Sequence, residues 1–386
     1  MHMLHRLSVA LVSFTVASAA WAYPEYRVTI VGPANSRAAD INSAGAVVGG
    51  YTTAGGATGG FVNRGKGVVL LGALGGTSSG AVAINDKGVV LGNWTSASGQ
   101  WRGYLYSCGK QRDIGAVYGG TIYRDINNAG YIIGLANPPG SGPYPLSVLR
   151  APNGAITDLG SIATENPATQ VYAINNRNQI AAESGPWSAP EQPFRAVIWA
   201  KGKFRDLGDF GWEPNGAVAI NDRGQATGYA SVTTGGPHDR VAFLYSHGRL
   251  INIDPRPATE WRYSEGKGIN NHGHIVGDSD FLGGFIWRGK RMERLGSLVD
   301  PKLGWGNINP EAINDAGQIA ATAVRGGVSY AVRLDLIRPH ASAVPALDAD
   351  AAAEIAALAA PAAQEAALDK AEAEAQAREV VRPAAQ

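Results

Sequence analysis

Little of this 386-residue chain is charged, and almost none of it is sulfur. Charged side chains make up 17% of the residues, with 33 Lys and Arg against 32 Asp and Glu. That balance excludes a strongly basic nucleic-acid binder, because phosphate affinity comes from an excess of cations. The single cysteine, Cys108, excludes an intrachain disulfide and a cysteine-held metal cluster. It also lies too far along the chain to be a lipidated N-terminal cysteine. Beyond residue 22 no apolar run approaches the roughly 18 residues of a membrane helix, so no transmembrane anchor is expected. Hydrophobic residues, at 45%, exclude a polar disordered chain.

Both ends differ from the middle. His5 and Arg6 precede an apolar stretch from Leu7 to Ala20, and Ala20-Trp21-Ala22 has the small-x-small form of a cleavage site. Residues 1–22 read as a secretory signal peptide, with a mature start at Tyr23 and a secreted or periplasmic destination. From Ser342 onward glycine and aromatics vanish and alanine dominates. Residues 342–386 carry eight acids and three bases, a solvated, partly helical or disordered tail whose apolar face is mostly alanine. The body of the mature chain, 23–341, is correspondingly basic.

That body is rich in glycine, 51 of the 386 residues, and it repeats. One block recurs seven times: Asp40-Ile41-Asn42-Ser43-Ala44-Gly45, Ala83-Ile84-Asn85-Asp86-Lys87-Gly88, then again at Ile126, Ile174, Ile220, Ile269 and Ile313. The isoleucines stand 42 to 49 residues apart. In each block the asparagine side chain can bond nearby backbone and start a turn, and the last position takes positive φ, which glycine does without steric cost. Asn178 replaces the glycine in the fourth copy, and asparagine is the next most tolerant residue there. Extended segments flank every turn, a third strand pairs a small residue with a large one (Gly60-Phe61, Gly103-Tyr104, Ala242-Phe243), and a glycine turn leads to a fourth. Four short strands per repeat of about 45 residues predict an all-β propeller. The seventh copy lacks its fourth strand, and a lone strand, Tyr26 to Val31, precedes the first. The expectation is seven blades with three-plus-one closure, which hides both sheet edges.

The Ile-Asn-x-x-Gly turn, the Ala-Phe-Leu-Tyr or Phe-Ile-Trp strand and the Leu-Gly strand (Leu159-Gly160, Leu207-Gly208, Leu295-Gly296) resemble HAF repeats. The resemblance covers nearly all of Tyr26 to Leu336. It implies an extracellular, mainly bacterial repeat protein and brings no known reaction.

If the first strand of each blade lines the axis, the loops entering it share a face with the loops between second and third strands. The aromatics expected on this loop face are Trp94, Tyr118, Tyr123, Trp187, Trp212, Trp261 and Trp305, flat groups suited to sugar rings or protein hot spots. Trp199 and Trp287, inside third strands, read as inter-blade core. Weak catalytic candidates are Asp40, Asp125 and Glu311, carboxylates beside the axial channel that can act as acid and base where their environments separate their pKa values. The Asn-Asp pairs of the turns offer too few carboxylates for calcium. His272 and His274, with His247, are weak metal ligands, and no metal site is expected. Gly76-Thr77-Ser78-Ser79-Gly80 matches a serine-hydrolase pattern but lacks the strand-then-helix context. No phosphate loop or dinucleotide fingerprint is present, so no cofactor is expected. The reading is an exported, non-enzymatic propeller that binds a glycan or an extracellular protein through its loop aromatics. Two alternatives stand beside it: a polysaccharide hydrolase or lyase using the channel carboxylates, and a structural surface protein acting through the acidic tail.

Overall fold

The computed structural model describes residues 24–138, 145–186, 194–232, 239–257 and 262–337. Residues 1–22, read from the sequence as a signal peptide, the tail from Ser342, Trp187 and Trp261 lie outside them.

Every copy of the repeat builds the same object. Its first strand ends on the repeated isoleucine, as in Ser36–Ile41, Thr121–Ile126 and Ser264–Ile269. Three further antiparallel strands follow, giving seven four-stranded sheets in simple meander order. First strands of adjacent blades pack side by side and line the axis. The seventh sheet is completed by the N-terminal strand Tyr26–Ala34, which pairs antiparallel with Val328–Leu336 from Tyr26 opposite Leu336 to Ala34 opposite Tyr330. The ring closes three plus one, as the sequence predicts. Among the described residues only two single turns of 3-10 helix occur, Leu295–Ser297 and Pro301–Leu303.

The core lies between blades. Residues of blade 1 (Val48, Val62, Leu71) pack with residues of blade 2 (Ile84, Val90, Tyr104), and the other interfaces repeat the pattern. A small residue on the second strand faces a large one on the third: Gly49 opposite Phe61, Gly228 opposite Phe243, Gly277 opposite Phe285. The three phenylalanines are completely buried, each stabilising by roughly 1.5–3 kcal/mol relative to exposure. A Cβ on Gly277 would lie 1.9 Å from the Glu265 carbonyl oxygen, so the close approach needs glycine. Trp199 is buried in this packing and Trp287 partly so.

All seven first strands carry a register shift just before the isoleucine, for example between Ala38 and Asp40, Tyr123 and Asp125, and Pro310 and Ala312. The bulge re-aims the side chains that precede it.

Candidate functional site

The turn face is closed by asparagine. The side-chain Nδ2 of Asn42 donates to the carbonyl of Asn85, Asn85 to Asn127, Asn127 to Asn175, Asn175 to Asn221, Asn221 to Asn270, Asn270 to Asn314, and Asn314 back to Asn42, at 2.8–3.1 Å. Each Oδ1 accepts the backbone N–H four residues on, at 2.9–3.0 Å. All seven asparagines are buried and satisfied on both atoms. An outer tier follows the same direction. The N–H groups of Ser43, Asp86, Asn128, Asn176, Asp222 and Asn271 donate to the side chain one blade ahead, at 2.7–2.9 Å. Burial opposes the charge on Asp86, yet the amide of Asn128 and the N–H and hydroxyl of Ser43 hold its carboxyl below the usual range. The oxygens that a calcium reading needed are engaged in joining blades.

Behind this ring lie the channel carboxylates. Asp40 and Asp125, on first strands, are only partly exposed and each is held against the next blade. Asp40 accepts the N–H of Ile41 at 2.7 Å and that of Ile84, in the next blade, at 2.8 Å. Asp125 does the same with Ile126 and Ile174. Burial pushes Asp40 up to about 8, helped by the charge of Asp125, and pushes Asp125 up to about 6. Both act as blade-to-blade straps. Glu311, half-buried, is raised by burial and opposed by Lys267.

The sequence reading missed a larger polar cluster on the same wall. Glu183, buried on the second strand of blade 4, accepts the phenol of Tyr229 from blade 5 and that of Tyr172. Burial raises its pKa against those hydrogen bonds. Arg240 stacks on the Tyr229 ring at 4.6 Å. In blade 6, Glu265 accepts from Tyr263 at 3.3 Å, and Lys267 stands 3.6 Å from Asp278. Burial and the Asp278 charge raise Glu265. The signal that could have found Glu183 is a lone acid inside the second strand Ile180–Pro186, whose other residues are small or apolar.

The loop face carries the exposed aromatics. Tyr118 and Trp212 are 54% and 49% exposed, the first on the connection entering blade 3 and the second at the start of the first strand of blade 5, Gly211–Ile220. Trp305 is half-buried, with Arg325 over its ring at 4.5 Å and Tyr330 edge-on at 6.2 Å. It lines a pocket of about 230 Å³ between blades 6 and 7. Two predicted members are not there. Tyr123 is 1% exposed, turned inward by the bulge at Arg124 to lie against Gly103 of blade 2, where a Cβ would meet its ring at 2.3 Å. Trp94 is 9% exposed inside its strand, covered by Gly76, with Nε1 donating to Asp113 at 3.3 Å. Three residues replace them: Trp101, opening a third strand, Phe281, on a tip between second and third strands, and Leu303, all 43% to 65% exposed. Phe281 carries Arg256 over its ring at 5.8 Å. At blade 1, Arg37, Tyr51 and Glu311 line a pocket of about 470 Å³.

The rings of His272 and His274 stand 5.8 Å apart, tilted by 40°. Among the described residues no group of three His, Cys, Asp or Glu is placed to hold a metal. Ser78 opens a strand and donates to Thr95 at 2.9 Å, so it sits on no strand-to-helix elbow.

Solved structures of unrelated sequence share this fold. The β-propeller domain of the Trilobed protease from Pyrococcus furiosus, which has an open velcro topology, superposes with a TM-score of 0.53 at 10% identity, over 79% of this chain and 99% of that one. The uncomplexed acylaminoacyl peptidase of Pyrococcus horikoshii gives 0.52 at 8% identity, over 78% and 52%. YCF48 bound to D1 peptide gives 0.50 at 10% identity, over 83% and 98%. At such identities the likeness is one of fold, and fold does not assign function. No family model and no curated protein matches the sequence.

Proposed function

We propose that this propeller is an exported, non-enzymatic binding module that engages an extended segment of a partner protein across its loop face. The observation that carries the reading is the gathering of Trp101, Tyr118, Trp212, Phe281 and Leu303, all well exposed, at one end of the molecule. Arginines stacked on Trp305 and Phe281 complete a composition typical of protein hot spots. A peptide in complex with the YCF48 propeller is consistent with that use of the fold. The carboxylates Asp40 and Asp125 spend both oxygens on backbone N–H groups, which disfavours the hydrolase or lyase alternative. The HAF-like repeats and the signal-like residues 1–22 support export.

A glycan remains the second reading, because Trp212 and Tyr118 offer flat exposed rings. Panning the mature chain against a random peptide library decides between them. Enriched peptides should bind Tyr118→Ala and Trp212→Ala roughly tenfold more weakly or worse. If nothing enriches, or the variants bind equally, the protein-segment reading fails. Release of product from a polysaccharide panel would instead favour the enzyme.

A further inference from the structure

On the opposite, turn face, blades 4 and 5 stand apart to leave a cleft of about 830 Å³. One wall is the outer part of blade 4, where Ala200 pairs with Lys203 and Ile198 with Arg205, so these four side chains share a face. The other wall is blade 5: Arg223 and Gln225 of its first turn, then Tyr245, Ser246 and His247 of its outer hairpin. Lys201 and His247 sit in left-handed backbone, φ 50° and 51°, each followed by a glycine, the turn geometry that projects a hairpin tip.

The charge here is one-sided. Lys201, Lys203, Arg205 and Arg223 are exposed and lack any ion pair among the described residues, and no carboxylate lines the cleft. The acid beside them in sequence, Asp206, is turned to the other face of its strand and paired with Arg195 at 2.6 Å. The equivalent hairpin of blade 2 also has two cations, Lys110 and Arg112, but the blade facing it offers Ala129 in place of Arg223. Low-dielectric walls focus such a field on the space between them.

We infer that this cleft binds an acidic oligosaccharide. Its volume lies in the range of small-ligand pockets. The cations are spread along both walls and do not converge on one point, which suits carboxylates spaced along a chain better than a compact phosphate. Between them lie groups matched to a sugar body: the amides of Gln179 and Gln225 and the Ser246 hydroxyl, which accepts from Gln225 at 3.0 Å, over an apolar floor of Ile198 and Tyr245. This site is separate from the loop face and does not depend on its reading.

The test is calorimetric titration of the mature chain with trigalacturonate, maltotriose and inorganic pyrophosphate. Trigalacturonate binds saturably and is weakened roughly tenfold or more in Lys203→Glu/Arg205→Glu, while Lys110→Glu/Arg112→Glu and Trp212→Ala leave it unchanged. Arg223→Ala serves as the milder variant, and a thermal melt confirms that each is folded. Absence of saturable binding, equal weakening by the blade 2 pair, or equal affinity for maltotriose overturns the site. Pyrophosphate binding as tightly as trigalacturonate overturns its sugar preference.

Discussion

Single residues in this molecule work across blade boundaries. Each ring asparagine accepts a turn N–H that would otherwise be buried unpaired, and its amide adds a second hydrogen bond to a next-blade carbonyl that already accepts from its own turn. Asn127→Ala should therefore cost about 1–3 kcal/mol in urea denaturation, whereas Asn128→Ala, in the exposed outer tier, should cost well under that. Asp40 leaves a different signature. Its unfolded carboxyl loses a proton near pH 4, but the folded one holds it up to about pH 8. The folded state thus carries more protons over that window, so stability falls as pH rises through it. Asp125 acts in the same direction up to about pH 6. Asp40→Ala, the residue found at this position in blades 2, 4, 5 and 7, should flatten the decline of urea midpoint between pH 4 and 8. An unchanged slope would place the proton uptake elsewhere, with Asp125, Glu183, Glu265 and Glu311 as the remaining raised acids.

At the scale of the element, strand count, turn positions and closure were legible because each is enforced by backbone geometry that only a few residue types tolerate. The glycines of the turns leading into fourth strands, Gly65, Gly109, Gly154, Gly202, Gly248 and Gly289, all have positive φ. Side-chain direction was less legible. Alternation counted back from Ile126 points Tyr123 away from the core, and one extra residue at the bulge reverses it. The asparagine ring was also unread, although a clue was present: a turn alone would accept Asp or Ser, yet all seven copies keep Asn, which alone combines a donor and an acceptor of the right reach. The N-terminal strand invites a direct test. A chain beginning at Ser36 lacks the fourth strand of blade 7 and bares the Val328–Leu336 edge. It should lose its cooperative melt or associate in size-exclusion chromatography, and adding a peptide of residues 24–35 should reverse the effect.

For the whole molecule, the two faces have different characters. One presents exposed aromatics and stacked arginines on connections that vary from blade to blade, the other a regular ring of turns with a local basic cleft. The two proposed sites lie on opposite faces, so a protein segment on one and an acidic glycan on the other would not compete for space. Because every blade is joined to two neighbours, including blade 7 to blade 1, unfolding should be one transition, with far-UV circular dichroism and tryptophan fluorescence coincident. An open repeat array would instead be free to fray from its ends.

The asparagine ring runs head to tail: every blade gives a hydrogen to the next and takes one from the last, with no reversal at the junction of blades 7 and 1. Such a circuit has no first member, so only the covalent chain marks a beginning. The protein should accordingly tolerate relocation of its ends. A gene recut to start between two other blades, with Leu336 linked to Tyr26 by a short spacer, would ask the same seven asparagines to find the same seven neighbours.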